Sequence, residues 1–369
     1  MPPLMMILCA LIGADPFAAA RVAVRTEIEA GLFPGAVVML GTGDDILFHE
    51  AQGDAQVRPV RVAMQTDSIF DLASVTKAVA TATAIGILVD DGLLEFDQSL
   101  AESLPAHRGR GAGRITLRHL GAHVSGLREN PRLMTSGTGD EFFAGVLTQQ
   151  PSWEPGVKFE YACKNCITLS TIVERVSESH FDVFCQRRIF DPLKMRETCF
   201  HRVPASPRVV GTFGELGLDH NEDGQAAGRG IGNAGLFSTA GDLARFCQMM
   251  LGRGQRGEVR ILSEATWTEL VTPRFDNSPH AFLWQTGTNL AHRPLGLTQS
   301  AFGHSGWTGQ SVWIDPQQGL FLLVLTNRVH PERIETSSAQ GKEQVRARAR
   351  IGAALLQSWT AWKTATGCR

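Results

Sequence analysis

The stretch AVATATAIGILV, Ala78 to Val89, is apolar on nearly every face and stops at Asp90-Asp91-Gly92. A helix without a polar stripe must be covered all round, so this chain has to build a layered domain thick enough to enclose one. With 369 residues it has the length to do so. The covering layers are written at the two ends of the chain. FAAARVAVRTEIEAG (Phe17 to Gly31) predicts an amphipathic helix ending at glycine, and Pro34-Gly35 then opens an apolar strand, Ala36 to Leu40. A turn from Gly41 to Asp45 leads into a second strand, Ile46 to Ala51. Near the other end, SVWID (Ser311 to Asp315) and LFLLVLTN (Leu320 to Asn327) flank Pro316-Gln317-Gln318-Gly319 as a second hairpin. Glu343 to Lys363 then carries Val345, Ile351, Leu355, Trp359 and Trp362 at helical spacing.

These patterns suit an α/β fold of the α+β kind: an antiparallel sheet flanked by helices, with both chain ends packed on it. Helical patterns dominate between about residues 106 and 204, for example Thr168 to Ser179 and Phe181 to Phe190. They predict a mostly helical lobe inserted into a sheet subdomain of about residues 17–105 and 205–369. Residues 1–16 stand apart as an apolar segment. Met1 to Gly13 has no Lys or Arg ahead of its apolar stretch, as a secretory signal usually has, and it is far short of the roughly 20 residues of a membrane span. Export is left open. No later stretch predicts a stable span.

Composition narrows the partners. A formal charge of -2 offers no basic field to nucleic acid, which favours a small-molecule substrate. The seven cysteines (Cys9, Cys163, Cys166, Cys185, Cys199, Cys247, Cys368) are an odd set and cannot all pair within the chain. That favours a reducing, cytoplasmic setting over a periplasmic or secreted one. Cys163 and Cys166 have C-x-x-C spacing, but no second pair or nearby histidine ladder completes a zinc site. They read as small buried hydrophobes, and neither metal nor cofactor is expected.

Ser74 and Lys77 open the buried helix three residues apart, so an amine can reach the hydroxyl from one turn away. A helix start also presents N–H groups and positive dipole where an oxyanion would form. S-x-x-K alone is weak evidence, since a capping serine with an exposed lysine looks the same. Only six of the 35 Lys and Arg residues are lysine, however, and Lys77 is the only one before position 158. A lysine kept in an apolar helix of an arginine-rich chain points to a need arginine cannot meet, the loss of a proton near neutral pH. Tyr161 is the single tyrosine against 19 Phe and 7 Trp. A nearby ammonium would lower its pKa below the usual value of about 10 and let it relay protons. Phe302-Gly303-His304-Ser305-Gly306-Trp307 predicts a strand whose small residues admit a ligand backbone. His119 to His123 (HLGAH) lacks the adjacent glutamate of a zinc helix and is read as structural.

Taken together, FDLASVTK, ITLRHLGAHVSGL, EPG with YACKN, NAGLFSTAGDLARF and FGHSGWTGQSVWIDP resemble the serine β-lactamase and penicillin-binding superfamily. The likeness is nearest to class C β-lactamases and related esterases, and runs from about Pro34 to Pro331. It implies a serine hydrolase working through an acyl-enzyme on Ser74, with Lys77 and Tyr161 in proton transfer and His304, Ser305 and Gly306 lining the site. The backbone N–H groups of Ser74 and Trp307 would form the oxyanion hole. Cys163 stands where the family has asparagine, and His304-Ser305 replaces Lys-Thr, so contacts to substrate amide and carboxylate groups differ. Esterase, D-amino-acid peptidase and β-lactamase activities all remain open, as does a non-catalytic ligand-binding domain on the same fold. Turnover of a short-chain ester separates the last from the others.

Overall fold

The computed structural model describes residues 15–128 and 138–366. Nearly all of the N-terminal apolar segment, with Cys9, and Cys368 at the other end lie outside the described residues. At the centre is a six-stranded antiparallel sheet. Its strands are β1 (Gly35–Thr42), β2 (Ile46–Gln56), β3 (Val62–Ala63), β4 (Phe302–Ser305), β5 (Gln310–Asp315) and β6 (Leu320–Thr326), in the order β3-β2-β1-β6-β5-β4. The two predicted hairpins meet where β1 pairs with β6, Val38 opposite Val324. Both chain ends therefore build one sheet.

Side chains alternate across each strand, and here both faces are buried. Ala36, Val38, Leu40, Leu322 and Val324 point to a layer that includes Val24 of helix α1 (Ala18–Glu29). The same layer takes Ile351 and Leu355 of the closing helix Ala339–Thr366. Val37, Met39, Phe321, Leu323 and Leu325 point the other way, into the main core. This is why LFLLVLT reads as an unbroken apolar run: each residue is buried on one face or the other. Full burial is worth about 1.5–3 kcal/mol for each large side chain. Arg350 of the closing helix clamps Glu27 of α1 with hydrogen bonds of 2.7 and 2.8 Å.

The run that opened the sequence analysis lies inside that main core. Lys77–Ala82 is wound as a π-helix and continues as α2 (Thr83–Asp90), and every residue from Lys77 to Leu88 is buried. The π winding was not expected, because apolar periodicity over six residues does not separate it from an α-helix. Between residues 106 and 204 the described elements are helical up to Cys199–Phe200, with α3 (Cys163–Ser177) the longest. α3 starts five residues before the predicted Thr168. No side chain caps its first turn from Ala162; instead Asn165 is held by Ser125 (2.6 Å) and His123 (3.0 Å), contacts from a distant segment. Cys199–Phe200 pairs with Leu236–Ser238, which pairs in turn with Phe70–Asp71. That small sheet delivers the chain to Ser74. No described helix is long and apolar enough to cross a membrane.

Candidate active site

Ser74 sits in a tight turn between the strand Phe70–Asp71 and the buried helix. Leu72 N–H bonds to Leu236 O (2.8 Å), and the N–H groups of Val75, Thr76 and Lys77 then bond back to Leu72, Ala73 and Ser74. Ala73, the residue before the serine, has φ +46°, a left-handed conformation that costs about 1–2 kcal/mol for a residue with a Cβ. Asp71 helps to hold it, accepting from Ala73 N–H at 2.9 Å. The turn leaves Ser74 half-buried on the wall of a cleft of about 680 Å³, with Cys163, His220, Asn233 and Trp307 around it.

Lys77 comes up from beneath. Its Nζ donates to Ser74 Oγ (3.0 Å) and to the Asn233 carbonyl (2.6 Å), and lies 3.6 Å from Cys163 Sγ and 5.2 Å from the centre of the Tyr161 ring. Tyr161 keeps 36% of its surface exposed, but its hydroxyl end is enclosed, hydrogen-bonded with Ser74 and Lys77. The three predicted groups therefore converge.

Their protonation differs from the sequence expectation. Burial works against the Lys77 charge, but Cys163, Tyr161 and Cys166, together with the hydrogen bond to Tyr161, outweigh it and raise the pKa above that of an ordinary lysine. Tyr161 is raised as well, because burial of the phenolate outweighs the attraction of Lys77. At neutral pH the pair is an ammonium beside a neutral phenol. The expectation that Lys77 sheds its proton near neutrality and that Tyr161 ionises below its usual value is corrected accordingly. Desolvation, which spacing along the chain does not reveal, decides the outcome.

Facing Ser74, the end of β4 approaches the turn closely. A Cβ on Gly306 would stand 2.4 Å from Leu72 O and 2.8 Å from Gln310 Oε1, so only glycine lets the two segments meet. Arg328 donates to Trp307 O, and Arg348 donates to the carbonyls of Gly306 (3.0 Å) and Gln310 (2.7 Å), fixing this corner. Among the described residues no acceptor takes the N–H of Ser74 or of Trp307. Ser305 is half-buried at the end of β4, and Cys163 opens α3 on the cleft wall. His304 is only 1% exposed, its Nδ1–H donating to Ser305 O at 2.9 Å. Its ring lies 6.5 Å from Tyr161 and 6.0 Å from His280.

The beta-lactamase family profile matches residues 21–346. The chain belongs to the beta-lactamase family. An N-acetylmuramyl-L-alanine amidase of Bacillus subtilis is 27% identical over 359 residues, covering 85% of this chain and 81% of the relative. In fold it resembles a penicillin-binding protein homologue from Caulobacter crescentus (TM-score 0.72, 23% identity, 93% of this chain and 98% of that one). It also resembles a family VIII carboxylesterase (TM-score 0.68, 19% identity, 92% and 98%). This member of the beta-lactamase family is a serine hydrolase of the β-lactamase-related type.

Several groups around the family's site were not singled out in the sequence. Asp71 is buried and bonds His220 at 2.7 Å. Burial pushes its carboxyl up, but His220 and the Ala73 N–H together hold it below the usual range. His220 is raised, since Asp71 and Asp219 outweigh burial, and it stacks on Trp307 with ring centres 5.2 Å apart. The signal was available for Asp71, a carboxylate inside the apolar run IFDLASV that must find a partner. Asn233 acts through its carbonyl and had none. In HLGAH, His119 caps the helix Leu117–Gly121 with Thr116, whereas His123 lies 4.6 Å from the Tyr161 ring. Among the described residues no cluster of three His, Cys, Asp or Glu side chains is placed to hold a metal ion.

His123, His280 and His304 gather behind Tyr161, and four of their ring nitrogens have no partner among the described residues. Burial, reinforced by one another's charge and that of Lys77, holds His123 and His304 well below the usual histidine value. His280 is lowered to about 3, by burial first and then by His292 and Lys77. A histidine with a lowered folded pKa is protonated more readily in the unfolded chain, so stability falls as pH drops below about 6.5 and keeps falling to about 3. For His280 alone the expected loss is about 2 kcal/mol at pH 5, with the other two acting in the same direction. Urea unfolding at pH 7.5 and pH 5 should show the midpoint falling, and less so in His280→Phe. An unchanged midpoint would mean that these rings are already hydrated or charged.

Proposed function

We propose that this protein hydrolyses carboxylic esters through an acyl-enzyme on Ser74, and handles penicillins and cephalosporins less well. The observation that carries the reading is the contact of Lys77 Nζ with Ser74 Oγ at 3.0 Å in a buried corner also shared by Tyr161. Once the coupled Tyr161–Lys77 pair has given up one proton to solvent, Ser74 Oγ attacks the carbonyl carbon, and its proton passes into that pair and on to the leaving alkoxide. The carbonyl oxygen, turned negative, would be received by the N–H groups of Ser74 and Trp307. Water then takes the alcohol's place and attacks the acyl carbon; the same pair takes its proton and passes it to Ser74 Oγ as the acyl–Oγ bond breaks and the acid leaves. An activity profile follows from the raised pKa values. Because the resting pair is fully protonated at neutrality, kcat/KM is expected to rise with pH beyond neutrality, without a plateau by pH 7. A plateau by pH 7 would show a base that ionises normally.

The substrate preference rests on what faces the cleft. A lysine at position 304 would offer a lasting positive charge to a substrate carboxylate, whereas His304 is buried and neutral. Cys163 offers a thiol, a poor donor and acceptor beside an asparagine amide. Esters, with their better leaving groups, depend less on both contacts. The test compares kcat/KM for p-nitrophenyl butyrate, a chromogenic cephalosporin and a D-alanyl-D-alanine peptide at one pH. Cephalosporin turnover matching that of the ester would sink the preference. Cleavage of D-amino-acid peptides is the second reading, favoured by the likeness (24% identity, 83% of this chain and 81% of the relative) to a putative D-alanyl-D-alanine carboxypeptidase of Salmonella typhimurium, and the peptide arm decides it.

A further inference from the structure

The proposed hydrolytic reaction forms and breaks no bond at the sulfur of Cys163 or Cys166. Cys163 is the first residue of the 15-residue helix α3, half-buried on the cleft wall, with its Sγ 3.6 Å from Lys77 Nζ. Cys166 lies one turn further along the same helix and is fully buried. An outer thiol at a helix start, an inner thiol three residues on and an ammonium in contact with the outer sulfur make up the arrangement of a reactive dithiol. The helix dipole and the ammonium both favour the thiolate, the form that reacts with oxidants.

We infer that Cys163 and Cys166 form an oxidisable dithiol, with Cys163 the site attacked by small peroxides from the cleft and Cys166 the resolving thiol. Cys163 thiolate attacks a peroxide oxygen and breaks the O–O bond. Hydroxide leaves, or an alkoxide if the peroxide is organic, and takes up the proton that the thiol had released, so that water or an alcohol departs and a sulfenic acid remains. The Cys166 thiol then attacks that sulfur, forming S–S and releasing water. Two electrons pass from the sulfur pair to the peroxide, and a dithiol reductant returns them by exchange. Neighbours three apart on a helix have Cβ atoms about 5–6 Å apart, and a disulfide needs about 3.5–4.5 Å. Closure therefore draws Cys163 inward at the helix end, where one residue can leave helical geometry without breaking later turns.

Cys199 is the internal control. It is also half-buried, but burial and then Glu197 push its thiol up to about 11. The inference does not depend on Ser74 being a nucleophile, since its readouts are masses. The native protein is treated with hydrogen peroxide at pH 7.5, alkylated, digested and weighed. The peptide holding Cys163 and Cys166 should lose two hydrogens, recover them with dithiothreitol, and do so at least about tenfold faster than Cys199 oxidises. Cys166→Ser should instead gain one oxygen at Cys163 and accept dimedone, and Cys163→Ser should show neither change. Oxidation at Cys199 as fast as at Cys163, or a wild type that stops at a dimedone-reactive sulfenic acid, overturns the inference.

Discussion

Ser74→Ala is expected to lose both turnover and covalent labelling, with kcat falling by roughly 10⁶-fold, the scale seen when a catalytic serine is removed. The hydroxyl is the nucleophile in the proposed reaction. Lys77 Nζ, at 3.0 Å, is the cation one turn from it. A fluorophosphonate should therefore label the native chain once, at Ser74, as located by digestion and mass spectrometry. The fold should survive. Ser74 is half-buried in a turn whose hydrogen bonds run through the backbone, and Lys77 keeps the Asn233 carbonyl at 2.6 Å. Losing the hydroxyl's hydrogen bonds with Lys77 and Tyr161 costs about 1 kcal/mol each, below what unfolds a domain. A label on another serine, or undiminished turnover by the variant, would remove Ser74 from the mechanism.

Lys77→Arg is expected to lower kcat/KM by about 10²–10⁴-fold, the contribution of a positioned acid–base group. The ammonium is a compact donor. Here it serves Ser74 Oγ and the Asn233 carbonyl and touches Cys163 Sγ, in a pocket with no exposed surface. Arginine is longer, planar and unable to give up its proton. Extra bulk in a packed interior costs about 1–3 kcal/mol, so the variant's melting curve must accompany its kinetics. Lys77→Ala separates the two effects: it removes the bulk along with the amine, and its turnover should return in part when a small alkylamine is added. Wild-type turnover by Lys77→Arg would reduce the lysine to a fixed charge.

Much of this protein is legible in one dimension. The unbroken apolar runs Ala36 to Leu40 and Leu320 to Leu325 identify strands buried on both faces. The all-round apolar run after Lys77 marks the enclosed helix, because side-chain period follows directly from backbone geometry. Ser74, Lys77 and Tyr161 were visible for a different reason, the scarcity of lysine and tyrosine in this composition. Three-dimensional packing decided the rest. The Asn233 carbonyl that holds Lys77 belongs to a group every residue has, so no residue type announces it. α3 begins at Cys163 through contacts to Ser125 and His123, some forty positions away. The raised pKa of Tyr161 and the lowered pKa of His280 are balances between burial and charge. Those balances depend on which segments pack together and how much water they exclude, quantities that exist only once the chain has folded.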